Sequence, residues 1–196
     1  MASALPRTSD VVIIGGGIMG ASIAWHLARR RSARVTLLER STIASGASGK
    51  TGALLRRHYS NRPEATLAHL SLHVFRRWQE VVGIGDCEFV ESGLVFTLGK
   101  GVDQARNLAS LRANVEMHRE IGIKSELLCP EDLLILQPFL DTSDLLAATF
   151  EPESGYVNAV SATRSMAHAA ITAGASVIET LPRSSVGLRR RPDRWG

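Results

Sequence analysis

Three glycines at fixed spacing are the first residues of this chain whose types and positions could do chemistry. Gly15, Gly17 and Gly20 fit the pattern G-x-G-x-x-G. In a dinucleotide fold the first glycine of this pattern allows a tight turn, the second lets a pyrophosphate approach the backbone, and the third lets a helix pack close to a strand. Glycine-rich turns are common in loops, so the pattern is informative only where a strand precedes it and a helix follows.

The sequence around the glycines supplies that strand and that helix. The β-branched run Val11–Ile14 predicts a short strand that is buried on both faces. From residue 17 to about residue 30, apolar residues recur at helical spacing. Ile18 and Met19 would open this helix, whose unpaired N–H groups and partial positive charge suit a phosphate group.

A carboxylate follows at the position where a ribose would be held. The apolar run 35–38 predicts a second strand, and Glu39 comes directly after it, about 20 residues beyond the last glycine of the pattern. An acid at the tip of the second strand accepts hydrogen bonds from a ribose diol. This stretch is therefore predicted to bind an adenine dinucleotide.

The segment after Glu39 is rich in glycine, serine and threonine. Small residues permit close backbone approach, and hydroxyl and N–H groups are donors for an anionic cofactor. Composition alone also fits a surface loop, but the position of the segment favours a binding loop. A nicotinamide-binding unit usually continues promptly into another helix and strand, whereas this chain inserts a long glycine-rich segment. An NAD-dependent dehydrogenase is therefore only the runner-up among enzymes. The candidate cofactor-binding residues of the segment are Arg40, Ser45, Ser48, Gly49, Thr51 and Gly52.

Composition excludes several classes of protein. The 196 residues are 44% hydrophobic and 21% charged, which is typical of one soluble globular domain. The net charge of +4 reflects short arginine clusters without interleaved aromatic residues, so no nucleic-acid partner is predicted. No apolar run has the length of a membrane span or a signal peptide, and Cys87 and Cys129 lack metal-site spacing. We therefore predict a cytoplasmic protein with two interior thiols and no metal site.

Three segments together, residues 11–27, 37–40 and 44–59, resemble the N-terminal half of the D-amino-acid oxidase superfamily. Within it they are most similar to the branch of sarcosine oxidase, dimethylglycine dehydrogenase and glycine oxidase. The resemblance implies an α/β, Rossmann-like FAD-binding domain of the glutathione-reductase-like type with an inserted α+β substrate-side region. It also implies oxidation of the C–N bond of an amino acid or secondary amine, with hydride transfer to the flavin. The loop 45–53 would run along the FAD pyrophosphate and beside the isoalloxazine.

The resemblance also points to substrate-binding residues. Arg56 falls on the arginine that grips the substrate carboxylate in monomeric sarcosine oxidases, and a planar guanidinium matches a carboxylate with two parallel hydrogen bonds. His58 and Tyr59 are candidates at the same site. A surface role for Arg56 remains open, and no general base is identified. Ser48 and Gly49 stand where the monomeric enzymes carry a histidine pair, which leaves the substrate open.

We predict three segments. Residues 9–59 form the FAD-binding β-α-β unit with its loop, and residues 60–154 form the substrate-side insertion. Residues 155–196 return to the FAD-binding domain, which is incomplete at the C-terminus. In the insertion, helices are expected at 63–82 and 103–122 and strands at 89–90, 93–98 and 146–150. In the returning segment, a helix at 160–173 leads to a third parallel strand at 175–179. By resemblance, Val186 would lie near the adenine.

The resemblance covers only the N-terminal half of the family's domain, so a truncated fold is expected. The missing C-terminal half, or a partner subunit, would complete the substrate site. The 196-residue chain alone is therefore expected to be poorly soluble, to hold FAD weakly at best and to be inactive towards its small-molecule amine or amino-acid substrate. A catalytically silent FAD-binding fragment or subunit is the alternative reading from outside the enzymes.

Overall fold

The computed structural model describes residues 6–31 and 33–180. The chain alternates strands and helices in the order expected for a dinucleotide-binding domain with an insertion. The elements are β1 (Val11–Ile14), α1 (Ile18–Arg29), β2 (Val35–Leu38), β3 (Leu54–Leu55), α2 (Arg62–Arg76), α3 (Trp78–Val81), β4 (Leu94–Gly99), α4 (Gln104–Glu120), β5 (Glu126–Leu128), α5 (Pro130–Leu136), β6 (Leu145–Glu151), β7 (Gly155–Tyr156), α6 (Ala159–Thr172) and β8 (Ser176–Ile178).

These elements form two compact units. Of the described residues, the first unit contains those up to Thr51, the segment Val82–Asp86 and those from Ala159 to Thr180. The second unit contains Gly52–Val81 and Cys87–Asn158. The second unit begins before β3 and ends after β7 because these two strands pair with each other. The predicted domain boundaries at 59/60 and 154/155 lie eight and four residues from the limits of the second unit, and they stay a prediction.

The first unit contains a parallel sheet with the strand order β1-β2-β8. Val11 pairs with Val35 and Leu38 pairs with Ile178, so β8 is the third parallel strand that the sequence predicts. Helices α1 and α6 pack against each other and against strands of this sheet. Buried alanines on both helices, including Ala24 and Ala170, allow the two backbones to approach closely.

Strand β1 corrects one prediction from the sequence. It is not buried on both faces, because the exposed fractions of the Val12 and Ile14 side chains are 50% and 71%. β1 lies at one edge of the three strands, whereas central β2 is buried along its whole length. Among the described residues, therefore, only one face of β1 is covered.

The second unit contains an antiparallel sheet with the order β4-β6-β5. Leu98 of β4 pairs with Ala147, and Leu128 of β5 pairs with Ala148. Helices α4 and α5 pack against β6, and their buried residues, among them Val115 and Leu133, form the core of this unit.

Four details of the second unit differ from the predictions. The expected helix 63–82 ends at Arg76 and resumes as α3, because Arg77 leaves the helical region with φ −116° and ψ 39°. Two apolar positions of α2, Leu67 and Leu70, are exposed, although Leu72 and Trp78 are buried as predicted. The expected strand 89–90 is reduced to a single bridge from Val90 to Tyr156. Finally, Cys129 is not an interior thiol, because it is exposed at the N-cap of α5.

No helix of the described ranges is long and apolar enough to cross a membrane.

Candidate functional site

The turn between β1 and α1 requires glycine at two of the three predicted positions. Gly15 adopts φ +112°, a conformation that residues with a side chain rarely adopt, and its N–H donates to the carbonyl oxygen of Leu38 at 2.8 Å. A Cβ on Gly20 would overlap the carbonyl oxygen of Gly15. Gly17 is the N-cap of α1, and a Cβ there would lie 2.9 Å from Ser48 Oγ. The turn therefore presents backbone rather than side chains at the helix N-terminus.

Gly16 is a sterically constrained position of the turn that the pattern did not single out, because it falls on a variable position of the motif. A Cβ on Gly16 would lie 2.5 Å from Ile43 Cδ1 and 3.0 Å from Glu39 Cβ. Its N–H donates to Glu39 Oε2 at 2.6 Å, and its carbonyl accepts from the N–H of Ala44 at 2.9 Å. Gly16 thus connects the turn to the carboxylate at the end of β2 and to the loop beyond.

Glu39 lies at the end of β2, as predicted, and is half-buried. Its two carboxylate oxygens accept one backbone hydrogen bond each, from Gly16 and, at 2.9 Å, from Ser41. An ionised carboxylate has about four lone-pair sites, so about two acceptor positions remain for the hydroxyls of a ribose. The side chain is therefore fixed in place while it keeps the capacity to bind a diol.

The loop after Glu39 is attached to both α1 and β8. Ser48 Oγ accepts a hydrogen bond of 2.9 Å from the N–H of Ile18, the first residue of α1. On the other side, Glu179 Oε1 accepts from the N–H of Ile43 at 2.5 Å. A Cβ on Gly49 would overlap the carbonyl oxygen of Ala44, so the close backbone approach predicted for this loop is present. Glu179 was missed by the sequence analysis, since its contact is made across 136 residues.

Five further residues predicted to bind the cofactor are exposed to solvent: Met19, Arg40, Ser45, Thr51 and Gly52. Val186 lies outside the described residues, and its role stays a prediction.

Replacing Ser48 by alanine should destabilise the first unit by about 1 kcal/mol, the usual cost of losing a side-chain oxygen that caps a helix N-terminus. The measurement is the change in the free energy of unfolding by urea. Ser45→Ala is the matched control, because Ser45 is exposed and only its backbone N–H is bonded, to Thr42. Equal effects of the two changes would contradict the capping role of Ser48.

The turn fits a pyrophosphate group. The first N–H groups of a helix have no partner within it, and in α1 the side chain of Ser48 satisfies only that of Ile18. The N-cap glycine contributes no capping side chain, and the first turn of α1 has no acidic residue to offset the positive end of the helix dipole. Backbone donors, a positive potential and the nearby diol acceptor Glu39 are the features that an adenine dinucleotide requires.

In the second unit, the adjacent arginines 56 and 57 have different environments. Arg56 is exposed, its guanidinium carbon lies 5.3 Å from the centre of the Tyr59 ring, and it forms no ion pair with the described residues. Arg57 is 1% exposed and pairs with Glu153 at 3.1 Å and with Glu151 at 4.0 Å. The arginine without an ion pair among the described residues is therefore Arg56, the residue that the sequence resemblance selected.

Arg56, His58 and Tyr59 line one cavity of about 390 Å³, which also contains Phe96 and Leu98 of β4. His58 is 8% exposed and stacks on Phe96 with ring centres 4.4 Å apart. Burial lowers the pKa of His58, and His118 and Arg56 lower it further while Glu151 opposes them. The imidazole is therefore neutral near pH 7 and adds no second positive charge to the cavity.

A buried network around Glu151 also escaped the sequence analysis. Glu151 is 0% exposed, and its Oε2 accepts from the backbone N–H of Arg57 at 3.0 Å and from Ser154 Oγ at 2.7 Å. His118, 0% exposed, lies beside His58 with ring centres 5.0 Å apart. No motif links these residues, because they lie on separate elements of the unit.

The parallel β1–α1–β2 arrangement, the glycine turn and the carboxylate at the end of β2 define a dinucleotide-binding α/β protein. The model of the FAD dependent oxidoreductase (DAO) family matches residues 10–195. The chain belongs to this family, whose cofactor is FAD, and the resemblance predicted from the sequence is confirmed.

Individual relatives agree with this assignment. The chain is 30% identical to mitochondrial sarcosine dehydrogenase of Homo sapiens over 194 residues, which are 98% of this chain and 20% of that protein. It is 31% identical to glycine oxidase of Geobacillus kaustophilus over 177 residues, which are 87% of this chain and 45% of that protein. Among solved structures, L-proline dehydrogenase of P. horikoshii matches with a TM-score of 0.78 and 29% identity, over 90% of this chain and 45% of that one. The predicted fold class is confirmed, and the chain spans less than half the length of these relatives.

Proposed function

We propose that this chain supplies the FAD-binding turn and the carboxylate-binding arginine of an enzyme that oxidises the C–N bond of an amino acid or secondary amine. The substrate class is sarcosine-, dimethylglycine- or glycine-like. The observation that carries the proposal is Arg56, which lines a cavity and has no ion pair among the described residues. A guanidinium that is free and held against an aromatic ring is suited to grip a carboxylate in two parallel hydrogen bonds.

Each residue has a defined task in this proposal. Bound FAD would supply the acceptor for the hydride of the carbon that carries the substrate nitrogen. The turn at Gly15–Gly20 would hold its pyrophosphate, and Glu39 would hold its ribose. Arg56 would place the substrate carboxylate, while the neutral ring of His58 would add no positive charge of its own.

An FAD titration of the 196-residue chain tests the cofactor part. Saturable quenching of flavin fluorescence is expected, and Glu39→Gln should weaken it at least about tenfold, because hydrogen bonds to a charged acceptor contribute ~1.5–3 kcal/mol each. Glu64→Gln is the matched control, since Glu64 is an exposed residue of the first turn of α2. Equal titrations for all three proteins would contradict the role of Glu39. Binding of NADH without binding of FAD would instead favour the nicotinamide-dependent alternative.

Activity is expected to need more protein than these 196 residues. The exposed apolar side chains of Val12 and Ile14 on β1 support a contribution from further polypeptide, either a C-terminal half like that of the family's domain or a partner subunit. The chain alone should therefore bind FAD without being bleached by sarcosine, dimethylglycine or glycine. Bleaching of the isolated chain would contradict this requirement. Absence of bleaching in a polypeptide that also contains the remaining length of the family's domain would favour a catalytically silent protein.

Arg56→Lys should raise the KM for a carboxylate substrate in that longer polypeptide and leave FAD content unchanged. Lysine keeps the positive charge but loses the two-pronged geometry that matches a carboxylate. Steady-state kinetics with sarcosine and with an amine that lacks a carboxylate give the comparison. An increase of KM for both substrates, or for neither, would contradict a specific role in carboxylate binding.

We also propose that the protein works in the cytoplasm. The prediction of a reducing cytoplasm is consistent with the two cysteines, neither of which forms a disulfide within the described residues. Fractionation of cells that express the protein tests it, and co-purification with mitochondria would contradict it.

A further inference from the structure

The second unit contains a buried cluster of which the proposed function uses only His58, as a neutral ring in the Arg56 cavity. His58 follows β3, His118 lies on α4, and Glu151 ends β6. Each residue offers one nitrogen or oxygen atom, and these three atoms lie within 4.8 Å of one another. Their exposed fractions are 8%, 0% and 0%, so the cluster is removed from bulk water.

Two lone pairs in this cluster have no donor. His118 Nε2 lies 2.9 Å from the carbonyl oxygen of Tyr59, which can only accept, so this nitrogen carries the proton and a neutral ring presents a lone pair at Nδ1. Within the described residues, neither His118 Nδ1 nor Glu151 Oε1 has a hydrogen-bond partner. Leaving a buried acceptor unsatisfied costs about 1–3 kcal/mol, and more for a charged group. These two buried acceptor atoms therefore call for a partner, which a metal ion, a proton or a water molecule could supply.

Hydrogen bonds to the protein orient all three side chains. Tyr59 fixes the ring of His118, and Arg57 and Ser154 hold Glu151 through Oε2. The Nδ1 of His58 lies 3.3 Å from Thr149 Oγ1, and its ring is stacked on Phe96. In metal sites, each histidine ligand typically donates its other N–H to a protein acceptor in this way, which fixes the tautomer and the ring.

We propose that His58, His118 and Glu151 bind one divalent transition-metal ion of the zinc class. Two imidazoles and one carboxylate suit Zn²⁺ and its neighbours, whereas Mg²⁺ and Ca²⁺ prefer oxygen ligands throughout. Zinc bonds to nitrogen and oxygen are about 2.0–2.2 Å long. The three ligand atoms are up to 4.8 Å apart, so they must approach one another by roughly 1 Å to bind a single ion at these bond lengths. Small rotations of the side chains provide this movement.

The ion would have a structural role. It would link the segment after β3 to α4 and to the end of β6, and that segment carries Arg56 and Tyr59. Because two ligands are fully buried, substrate would not reach the ion. The proposal departs from the expectation of no metal site, which rested on the spacing of the two cysteines. It shares His58 with the cavity of the proposed function. It requires neither FAD nor an amine, so zinc binding can fail or succeed separately from C–N oxidation.

The test uses the 196-residue chain, stripped of metal with a chelator and then titrated with Zn²⁺. After gel filtration, one equivalent of zinc per chain is expected by elemental analysis, with a higher melting temperature than that of the stripped protein. Glu151→Gln and His118→Gln should each weaken zinc binding by at least about 100-fold, because even the loss of a residue that only orients a ligand costs 10–100-fold. Each variant should also lose the zinc-dependent rise in melting temperature.

Matched controls separate this site from incidental zinc binding. Glu126→Gln makes the same change at an exposed carboxylate of β5, and His73→Gln removes an exposed histidine of α2. Both should retain the affinity of the unaltered chain, and so should Cys129→Ser, which removes the exposed thiol. If the cluster variants fail to fold, X-ray absorption on the unaltered chain decides. Imidazole and oxygen scattering around zinc supports the site.

Three results would overturn the proposal. These are a chain that retains no zinc, zinc affinity that survives both cluster variants, and sulfur scattering around the bound ion. In the first case the two lone pairs are satisfied by a proton or a buried water molecule.

Discussion

Gly20→Ala is expected to abolish the FAD-binding turn. The new Cβ would overlap the carbonyl oxygen of Gly15, which is backbone and cannot turn aside as a flexible side chain would. Overpacking of this kind costs about 1–3 kcal/mol even where side chains can adjust, so a loss at the upper end or beyond is expected. FAD binding should fall by at least about tenfold, or ~1.4 kcal/mol.

Gly46→Ala is the control for this change. Gly46 lies in the loop that follows β2, has φ −87°, and has no atom within 4 Å of the position that a Cβ would occupy. Its substitution should leave the free energy of unfolding and the FAD affinity near those of the unaltered chain. If Gly20→Ala binds FAD as tightly as Gly46→Ala does, the close approach of α1 to the turn has no part in cofactor binding.

Arg57→Met should destabilise the second unit by about 3–5 kcal/mol, the usual cost of removing one partner of a buried ion pair. Glu151 would keep a charge at 0% exposure while the guanidinium beside it is lost. For a unit of roughly 100 residues this corresponds to a fall in melting temperature of at least ~10 °C. Circular dichroism during heating measures it.

Two comparisons isolate the cause of that loss. Arg62→Met removes an arginine whose pair with Glu120 is more than half exposed on both sides, so it should cost no more than about 1 kcal/mol. In the metal-stripped chain, the double variant Arg57→Met with Glu151→Gln should recover part of the stability, because the uncompensated charge is then gone. A double variant less stable than the sum of its parts would show that the pairing with Glu151 is not the source of the effect.

The β-α-β unit shows what sequence alone can predict. The bounds of β1, α1 and β2, the glycine turn, the place of Glu39 and the third parallel strand all agree with the sequence pattern. The family assignment also followed from short contiguous segments and is confirmed. Each of these features depends on the backbone conformation and hydrophobic periodicity of neighbouring residues, which a sequence carries directly.

Burial and pairing across the chain depended on the tertiary structure. The sequence places Arg56 beside Arg57 without telling which is buried, and it counts Val12 as buried when half of its side chain is exposed. Nothing in the sequence links His58 to His118 and Glu151, because their contacts join elements separated by long stretches of chain. Local patterns thus determined the elements and the cofactor turn. Which side chains lose water, and which charges meet, was decided only when distant segments packed together, because burial and pairing are properties of the packed chain.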